Sequence, residues 1–428
     1  MSALFPQDTI AALSSPAGTG AVALLRVSGP AAESIAKRVF RGPPMIPRRA
    51  LFGTITTEEG TPLDDVLLTY FAAPASYTGE DTIEISCHGG VLVTSRVLAR
   101  LLQSGARPAG PGEFTQRAYL NGKLDLTQAE AVMDVISAQT DRALQAAHRQ
   151  LGGALGRTIL TLRDELLGIL AHVEAYIDFP EEDIDPDTGH ALRGRMEGLL
   201  SKLETLRATA NQGRLLREGV RTVLAGAPNA GKSSLLNRLL GFERAIVSEQ
   251  PGTTRDTIEE VINVGGFPLR LIDTAGLRAG TDDSIEQAGM ARTHTQLADA
   301  DLILEIVDAS QPPGERLILP ESATARHVLV LHKSDLPGDA GWEPFLTHGG
   351  DFPDGTTALG GVPVSSVTGA GLSDLTNRLT ALISAGGTSA EFTALELRLA
   401  LEALGDIIGH VDVEDLLGVI FSQFCIGK

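Results

Sequence analysis

The stretch Gly226-Ala-Pro-Asn-Ala-Gly-Lys-Ser233 follows the apolar run Val220 to Ala225 and opens onto Ser234-Leu-Leu-Asn-Arg-Leu-Leu240. The spacing is GxxxxGK[ST], set between a strand and a helix. Glycines at these positions let successive backbone N–H groups turn inward around a phosphate, and the helix presents its positive end there. From this loop Lys232 reaches the β- and γ-phosphates, and the Ser233 hydroxyl offers a ligand to Mg²⁺. A plain glycine turn before a helix does not account for strand, loop and helix in this order. The stretch reads as a nucleotide site, with Ala230, Gly231, Lys232, Ser233 and Ser234 along its loop and Asn229 read by itself as a turn residue.

Further motifs follow in the same segment. Thr257 to Val264, Gly265-Gly266 and Phe267 to Ile272 spell a hairpin that ends in Asp273-Thr-Ala-Gly276. An aspartate at a strand end can hold a Mg²⁺-bound water, and a following glycine N–H can sense a γ-phosphate. Pro251-Gly-Thr-Thr-Arg-Asp256 lies between and supplies threonine hydroxyls. In this order the motifs resemble the Ras-like GTPases, in particular the bacterial branch with Era-type proteins. That family reads its base with Asn-Lys-x-Asp; the matching residues are His332-Lys-Ser-Asp335, so Lys333 and Asp335 are assigned to the nucleotide. Asp335 can accept from the N1–H and amino group of guanine, which adenine cannot supply, so GTP is expected over ATP. Ser365-Ser-Val-Thr-Gly369 is a variant of the Ser-Ala-Lys loop and adds Ser365. Leu277 stands where Ras has its water-orienting glutamine, so that role falls elsewhere.

The totals bound the rest. At ~150 residues per domain, 428 residues suggest about three domains, and 43% apolar residues suffice for real cores. No apolar run approaches the ~20 residues of a membrane span, and the two cysteines suit a reducing compartment, so a cytoplasmic, soluble protein without a membrane partner is expected. Residues 1–121 hold ten basic and ten acidic side chains, so the whole net charge of −19 falls on the remainder. Such a chain is a poor generic polyanion binder and needs a local patch or a basic partner to handle nucleic acid. Arg38, Arg41, Arg48 and Arg49 form the densest basic cluster, which reads as a solvated loop.

Up to about Leu120, strands at Thr9 to Leu13, Ala21 to Val27, Val66 to Phe71 and Thr82 to Ser86 alternate with helices at Ala31 to Phe40 and Val91 to Gln103. No dinucleotide fingerprint accompanies them, so α+β fits. From Gly122 the pattern turns helical. Leu151, Leu155, Ile159, Leu162, Leu166, Leu170 and Val173 make one apolar stripe and Leu192, Met196, Leu199, Leu203 and Leu206 another, both expected as core. The acidic run Asp178 to Asp187 between them lacks the spacing of a Ca²⁺ loop and reads as a turn. Buried-type strands at Leu302 to Val307, His327 to Leu331 and Gly361 to Val364 mark an α/β unit inserted into the helical one.

The two ends narrow the family. The terminal Phe424-Cys-Ile-Gly-Lys428 joins Leu25-Arg-Val-Ser-Gly29, Thr78-Gly-Glu-Asp81, His88-Gly-Gly90, Arg107-Pro-x-x-Pro-Gly-Glu-Phe-Thr115 and Leu120-Asn-Gly-Lys-Leu-Asp-Leu126. As a set these closely resemble the MnmE (TrmE) family of tRNA-modification GTPases over nearly the full length. The resemblance implies an N-terminal α+β domain (residues 1–121) that dimerises and binds a folate. It implies a discontinuous helical domain (122–214 and 387–428) and an inserted Ras-like P-loop GTPase domain (215–386). It further implies work with the FAD protein MnmG on carbon five of the wobble uridine of certain tRNAs, adding an aminomethyl or carboxymethylaminomethyl group. The competing class is an Era-type regulatory GTPase that binds RNA without supporting such chemistry.

Site residues carry over by motif. Asn229, Ser248, Gln250 and Thr253 match K⁺ ligands, where a monovalent cation offsets charge developing in phosphoryl transfer. Ser233 and Thr254 match Mg²⁺ ligands, and Ser248, Thr253, Thr254, Asp273, Thr274, Ala275 and Gly276 line the nucleotide. Glu286 matches the catalytic glutamate beside Lys232. Formyl-tetrahydrofolate, or a related one-carbon folate, would meet Arg26, Glu84, Lys123 and Lys428; Glu84 suits the donor edge of a pterin and the cations suit its glutamate tail. Cys425 falls near that pocket by the same motif. Beyond Gly387 the chain has only about forty residues, ~30 fewer than the analogy expects, which at ~1.5 Å per residue removes a long helix or hairpin.

Overall fold

Side-chain alternation fixes the first sheet. The strands are β1 (Ile10–Leu13), β2 (Val22–Ser28), β3 (Phe40–Arg41), β4 (Ala50–Thr56), β5 (Pro62–Phe71), β6 (Thr82–His88) and β7 (Arg107–Pro108); in the interiors of β2, β4, β5 and β6 buried residues recur at every second position, so one face is buried. The structure, a computed structural model, describes residues 8–178, 189–243, 259–273, 296–314, 325–347, 350–351 and 357–385. They fall into two units: residues up to 133 with 149–161, and residues 134–148 with those from 162 onward.

In the first unit the strand order is β3-β4-β5-β6-β2-β1-β7, antiparallel except for the β1–β7 pair. Leu25, Val27, Ile83 and Ile85 face a core that also takes Ile35 and Val39 of α1 (Ala32–Val39) and Val97 and Leu101 of α2 (Val91–Gln103). The period of two then turns Arg26 and Glu84 to the other face, where the register sets them opposite each other. Ile10 and Ala12 of β1 close that face against Ala109, just past β7, and Phe114 of α3 (Glu113–Leu120). The expected strands and both helices are present. Strand β4 escaped the sequence reading because Gly53 interrupts it; a Cβ there would lie 2.5 Å from the Phe40 ring, so the glycine makes room for that side chain. All four arginines of the basic cluster are exposed, with Arg48 donating to the Ala75 carbonyl and Arg38 to that of Ser104.

Five charged side chains tie this unit together. Glu113 accepts from both terminal nitrogens of Arg107 at 2.8 and 2.5 Å. Arg117 donates to Asp8 at 2.6 Å and Glu113 at 2.9 Å and meets Glu80 at 3.2 Å, while Arg107 also reaches Asp8.

Helices α4 (Leu126–Ser137), α5 (Asp141–Leu151), α6 (Ala154–Asp178) and α7 (Gly189–Glu218) follow. The stripes on α6 and α7 differ from expectation. Leu162, Ile169 and Leu199 are buried together with Leu192 and Leu206 packed on them, but Ile159, Leu166, Leu170, Met196 and Leu203 are exposed. Two helices bury only the seam between them; a wider apolar stripe needs a further layer to cover its flanks.

The second sheet comprises β8 (Val220–Ala225), β9 (Glu259–Val264), β10 (Phe267–Asp273), β11 (Leu302–Asp308), β12 (Arg326–His332), β13 (Gly350–Asp351) and β14 (Thr357–Val364), in the order β13-β14-β12-β11-β8-β10-β9. Its five inner strands are parallel and its edges antiparallel. Helix α8 (Lys232–Glu243) and the helix Leu372–Ala385 add Leu235, Leu239, Leu375 and Leu379 to the core that holds Leu224, Leu304 and Val330. Val223, Ile272 and Ile303 face a separate cluster with Leu297 and Ala300. Sheets covered on both faces read as continuous apolar runs, which is why these strands were legible. From β8 the order runs one way to β10 and the other way to β11. This is the switch point at which open parallel sheets leave a crevice beyond the strand C-termini.

Replacing Arg117 by Met should destabilise the first unit by roughly 3 kcal/mol, because the partners of a largely buried cation are left uncompensated; thermal unfolding checks this. Burial alone would raise the Asp8 and Glu113 carboxyls, but the bonds from Arg107 and Arg117 outweigh it and hold both below the usual range. Their contribution is therefore present above the unfolded values of about 4 and fades as pH falls through the lowered folded ones. Melting curves from pH 6 down to pH 3 should fall more steeply for the wild type than for Arg117→Met.

Candidate functional site

The loop between β8 and α8 is shaped by close backbone approach. Gly226 has φ 145°, and a Cβ on it would lie 2.1 Å from the Ile306 carbonyl oxygen of β11. Gly231 has φ 103°, and a Cβ there would lie 2.2 Å from His332 Nδ1. Asn229 adopts a left-handed φ of 63°, which asparagine tolerates better than most residues. The Lys232 ammonium curls back and donates to the carbonyls of Gly226 and Ala227, each at 2.9 Å.

Across from this loop lie the ends of β12 and β14. Lys333, also left-handed at φ 62°, donates to Asp308 Oδ2 at 2.6 Å. Burial would raise the Asp308 carboxyl, yet the Lys333 and Ser310 bonds hold it below the carboxylate range. Asp335 Oδ1 accepts from Ser365 Oγ at 2.6 Å, and Ser365 Oγ in turn accepts from the Val367 and Thr368 N–H groups. His332 is buried, with Nδ1 3.0 Å from the Ala230 carbonyl and Nε2 2.7 Å from Ser366 Oγ. Burial pushes its pKa down, so the ring is neutral at pH 7.

These two sides enclose a cavity of about 760 Å³, lined by Pro228, Asn229, Gly231, Lys232, Ser233 and Ser234 on one wall and His332, Lys333, Asp335, Leu336, Ser366 and Val367 on the other. The size suits a small-molecule ligand. One end offers backbone N–H groups, an ammonium and a helix N-terminus, a match for phosphate; the other offers an oriented carboxylate, a match for a paired N–H edge. Among the described residues no group of three His, Cys, Asp or Glu could hold a metal. Ser233 at the head of α8 instead gives a single hard oxygen, the donor type that Mg²⁺ accepts alongside phosphate oxygens.

Of the sequence-assigned residues, Asn229, Gly231, Lys232, Ser233, Ser234, Lys333 and Asp335 thus meet in one cavity. Ala230 and Ser365 are buried and act from behind the wall. Asp273 ends β10 in register with Leu224. Ser248, Gln250, Thr253, Thr254, Thr274, Ala275, Gly276, Glu286, Cys425 and Lys428 lie outside the described residues. Asp308, Ser366 and Val367 went unassigned in the sequence; the end of β11, at the same sheet edge as the loop, was the available signal for Asp308.

In the first unit Arg26 donates to Glu84 Oε1 through Nε at 3.0 Å and Nη2 at 2.7 Å. Its guanidinium lies over the rings of Tyr77 and Phe114, 5.2 and 5.6 Å from their centroids. Lys123 donates to the Pro74 carbonyl at 3.1 Å and runs its stem along Gly79, so Arg26 and Lys123 both rest on the segment that carries Tyr77.

Comparisons with known proteins identify the family. Residues 9–123 match the model described as GTP-binding protein TrmE N-terminus, and residues 126–390 match that of the MnmE helical domain. The tRNA modification GTPase MnmE of Akkermansia muciniphila is 49% identical over 462 residues, covering 99% of this chain and 99% of its own. That of Opitutus terrae is 46% identical over 452 residues, with 99% of each chain covered. That of Geobacter sulfurreducens is 44% identical over 467 residues, covering 99% of this chain and all of its own. Full-length identity at this level, together with both family matches, places the chain in the MnmE (TrmE) family of tRNA-modification GTPases.

Proposed function

We propose that the chain binds and hydrolyses GTP in the cavity between Lys232 and Asp335, and that this hydrolysis serves modification of tRNA. The observation that carries the reading is the Ser365-oriented carboxylate of Asp335 facing the phosphate loop within one cavity. A carboxylate fixed by one hydroxyl keeps its remaining lone pairs for a guanine N1–H and amino group. Lys232 exchanges two neutral carbonyls for phosphate oxygens and neutralises charge on the β- and γ-phosphates. Asp308 holds Lys333 against the sheet end, so that its stem flanks the base.

Magnesium, held through Ser233 and Thr254, supplies charge neutralisation between phosphates when bound. The Asn229 side chain, with Ser248, Gln250 and Thr253, fits a K⁺ site that stands in for an arginine finger. Glu286 positions the water that Leu277 cannot. The N-terminal unit, with Arg26, Glu84, Lys123 and Lys428, holds a one-carbon folate such as formyl-tetrahydrofolate and pairs two copies of the chain. The GTPase domain (215–386) is inserted in the helical domain (122–214 and 387–428), and MnmG, an FAD protein, completes the complex that acts on carbon five of the wobble uridine. The setting is cytoplasmic; among the described residues no helix is long and apolar enough to cross a membrane.

Asp335→Asn should weaken GTP binding by about a hundredfold, the loss of two charge-assisted hydrogen bonds, while improving XTP binding. Titration calorimetry that finds GTP and XTP affinities unchanged would sink the base assignment. GTP turnover should be several-fold faster in KCl than in NaCl at equal ionic strength, and Asn229→Ala should erase the difference. Equal rates in the two salts for the wild type refute the cation site. Nucleoside mass spectrometry of tRNA from cells lacking the protein should show unmodified wobble uridines.

A further inference from the structure

Position 332 carries an imidazole between the phosphate loop and the Ser365 loop, and the hydrogen-bond inventory of that ring can be closed. The Ala230 carbonyl only accepts, so the proton of the neutral ring sits on Nδ1 and is spent there at 3.0 Å. Nε2 is then a bare acceptor, and the Ser366 hydroxyl, 2.7 Å away, gives it its single proton. The ring cannot swing to offer another edge. It lies so close to Gly231 that a Cβ there would meet Nδ1 at 2.2 Å and Cε1 at 2.3 Å. The neighbouring Lys333 ammonium is drawn to Asp308, at 2.6 Å, at the end of β11.

We infer that His332 makes this site read guanine through its Watson–Crick edge alone and leaves the ring N7 without a hydrogen bond. The inference rests on the guanine-nucleotide reading of the cavity. A purine N7 is an acceptor and needs an N–H or O–H to pair with. An asparagine at the same position would carry two amide N–H donors, one for the Ala230 carbonyl and one to spare. The imidazole has one, and it is used. His332 therefore acts as a clamp between the two loops and as a specificity residue by omission: selection of the base falls on Asp335, and 7-deaza guanine is admitted on equal terms.

The test compares GDP with 7-deaza-GDP by calorimetry on the full-length wild type and on His332→Asn. In the wild type the two dissociation constants should agree within about twofold. In His332→Asn the deaza analogue should bind about threefold or more weaker than GDP, the effect of one net hydrogen bond. A wild-type penalty of about threefold or more overturns the inference, and this arm stands even if the variant does not fold. Equal binding of both nucleotides to a folded His332→Asn also overturns it, since the indifference to N7 would then not come from His332. Failure of the wild type to bind either nucleotide is a separate result, and it removes the guanine reading itself.

Discussion

The second unit depends on how near one backbone can come to another at the mouth of its sheet. Gly226 rides on the Ile306 carbonyl and Gly231 on the His332 ring, and neither contact leaves room for a methyl group. Because of these contacts the loop leaves β8 at the switch point, folds over the ends of β11 and β12, and delivers Lys232 and Ser233 to the crevice. The apolar strands beneath supply the stability; the two glycines supply the aim. A side chain at either place would push the loop off the strands and separate the phosphate end of the cavity from the base end.

That geometry also explains which parts of the site the sequence disclosed. A phosphate loop is a local device: its glycines, lysine and serine lie within eight residues, so spacing alone exposes them. Asp335, three residues beyond a buried strand, was legible only through its resemblance to the Asn-Lys-x-Asp motif of the Ras-like GTPases. Ser365 was placed on the ligand by its loop, but it is buried behind Asp335, and only the fold shows that its work is to orient a carboxylate. The Asp308–Lys333 pair joins the ends of two neighbouring strands, and the Arg117 knot gathers Asp8, Glu80 and Glu113 from across the first unit. The first has no spacing to read, and in the second only Glu113 and Arg117, four apart on α3, could be paired along the chain. The helical stripes failed in the opposite way. Periodicity tells which face of α6 and α7 is apolar, but how much of that face is covered depends on what packs against it.

Charge gives the chain a particular problem if its work involves a polyanion. Its net −19 falls outside residues 1–121, so the long-range field opposes nucleic acid rather than steering it. The cations at both sites are already held inside the chain: Lys232 by two carbonyls, Lys333 by Asp308, Arg26 by Glu84. They shape pockets and do not form a basic face. A tRNA must then be held largely by a partner or by a patch of limited extent, which fits a subunit of a modifying complex better than a protein that grips RNA alone.

The same pairings set different costs for the two ligands. At Lys232 two neutral carbonyls accept from the ammonium, and a phosphate would bring it the opposite charge that those carbonyls lack. At Arg26 the guanidinium already makes two bonds to one carboxylate oxygen and lies over two rings. A ligand carboxylate that displaced Glu84 would gain nothing in kind and would leave Glu84 uncompensated. The pair is therefore better suited to act as one unit. Arg26 holds the carboxylate in place, and in the proposed folate site the remaining lone pairs of Glu84 would meet the donor edge of a heterocycle. On this physical ground the anionic end of the proposed folate would pair with Lys123 rather than Arg26, although the sequence had assigned both to the ligand on the same footing.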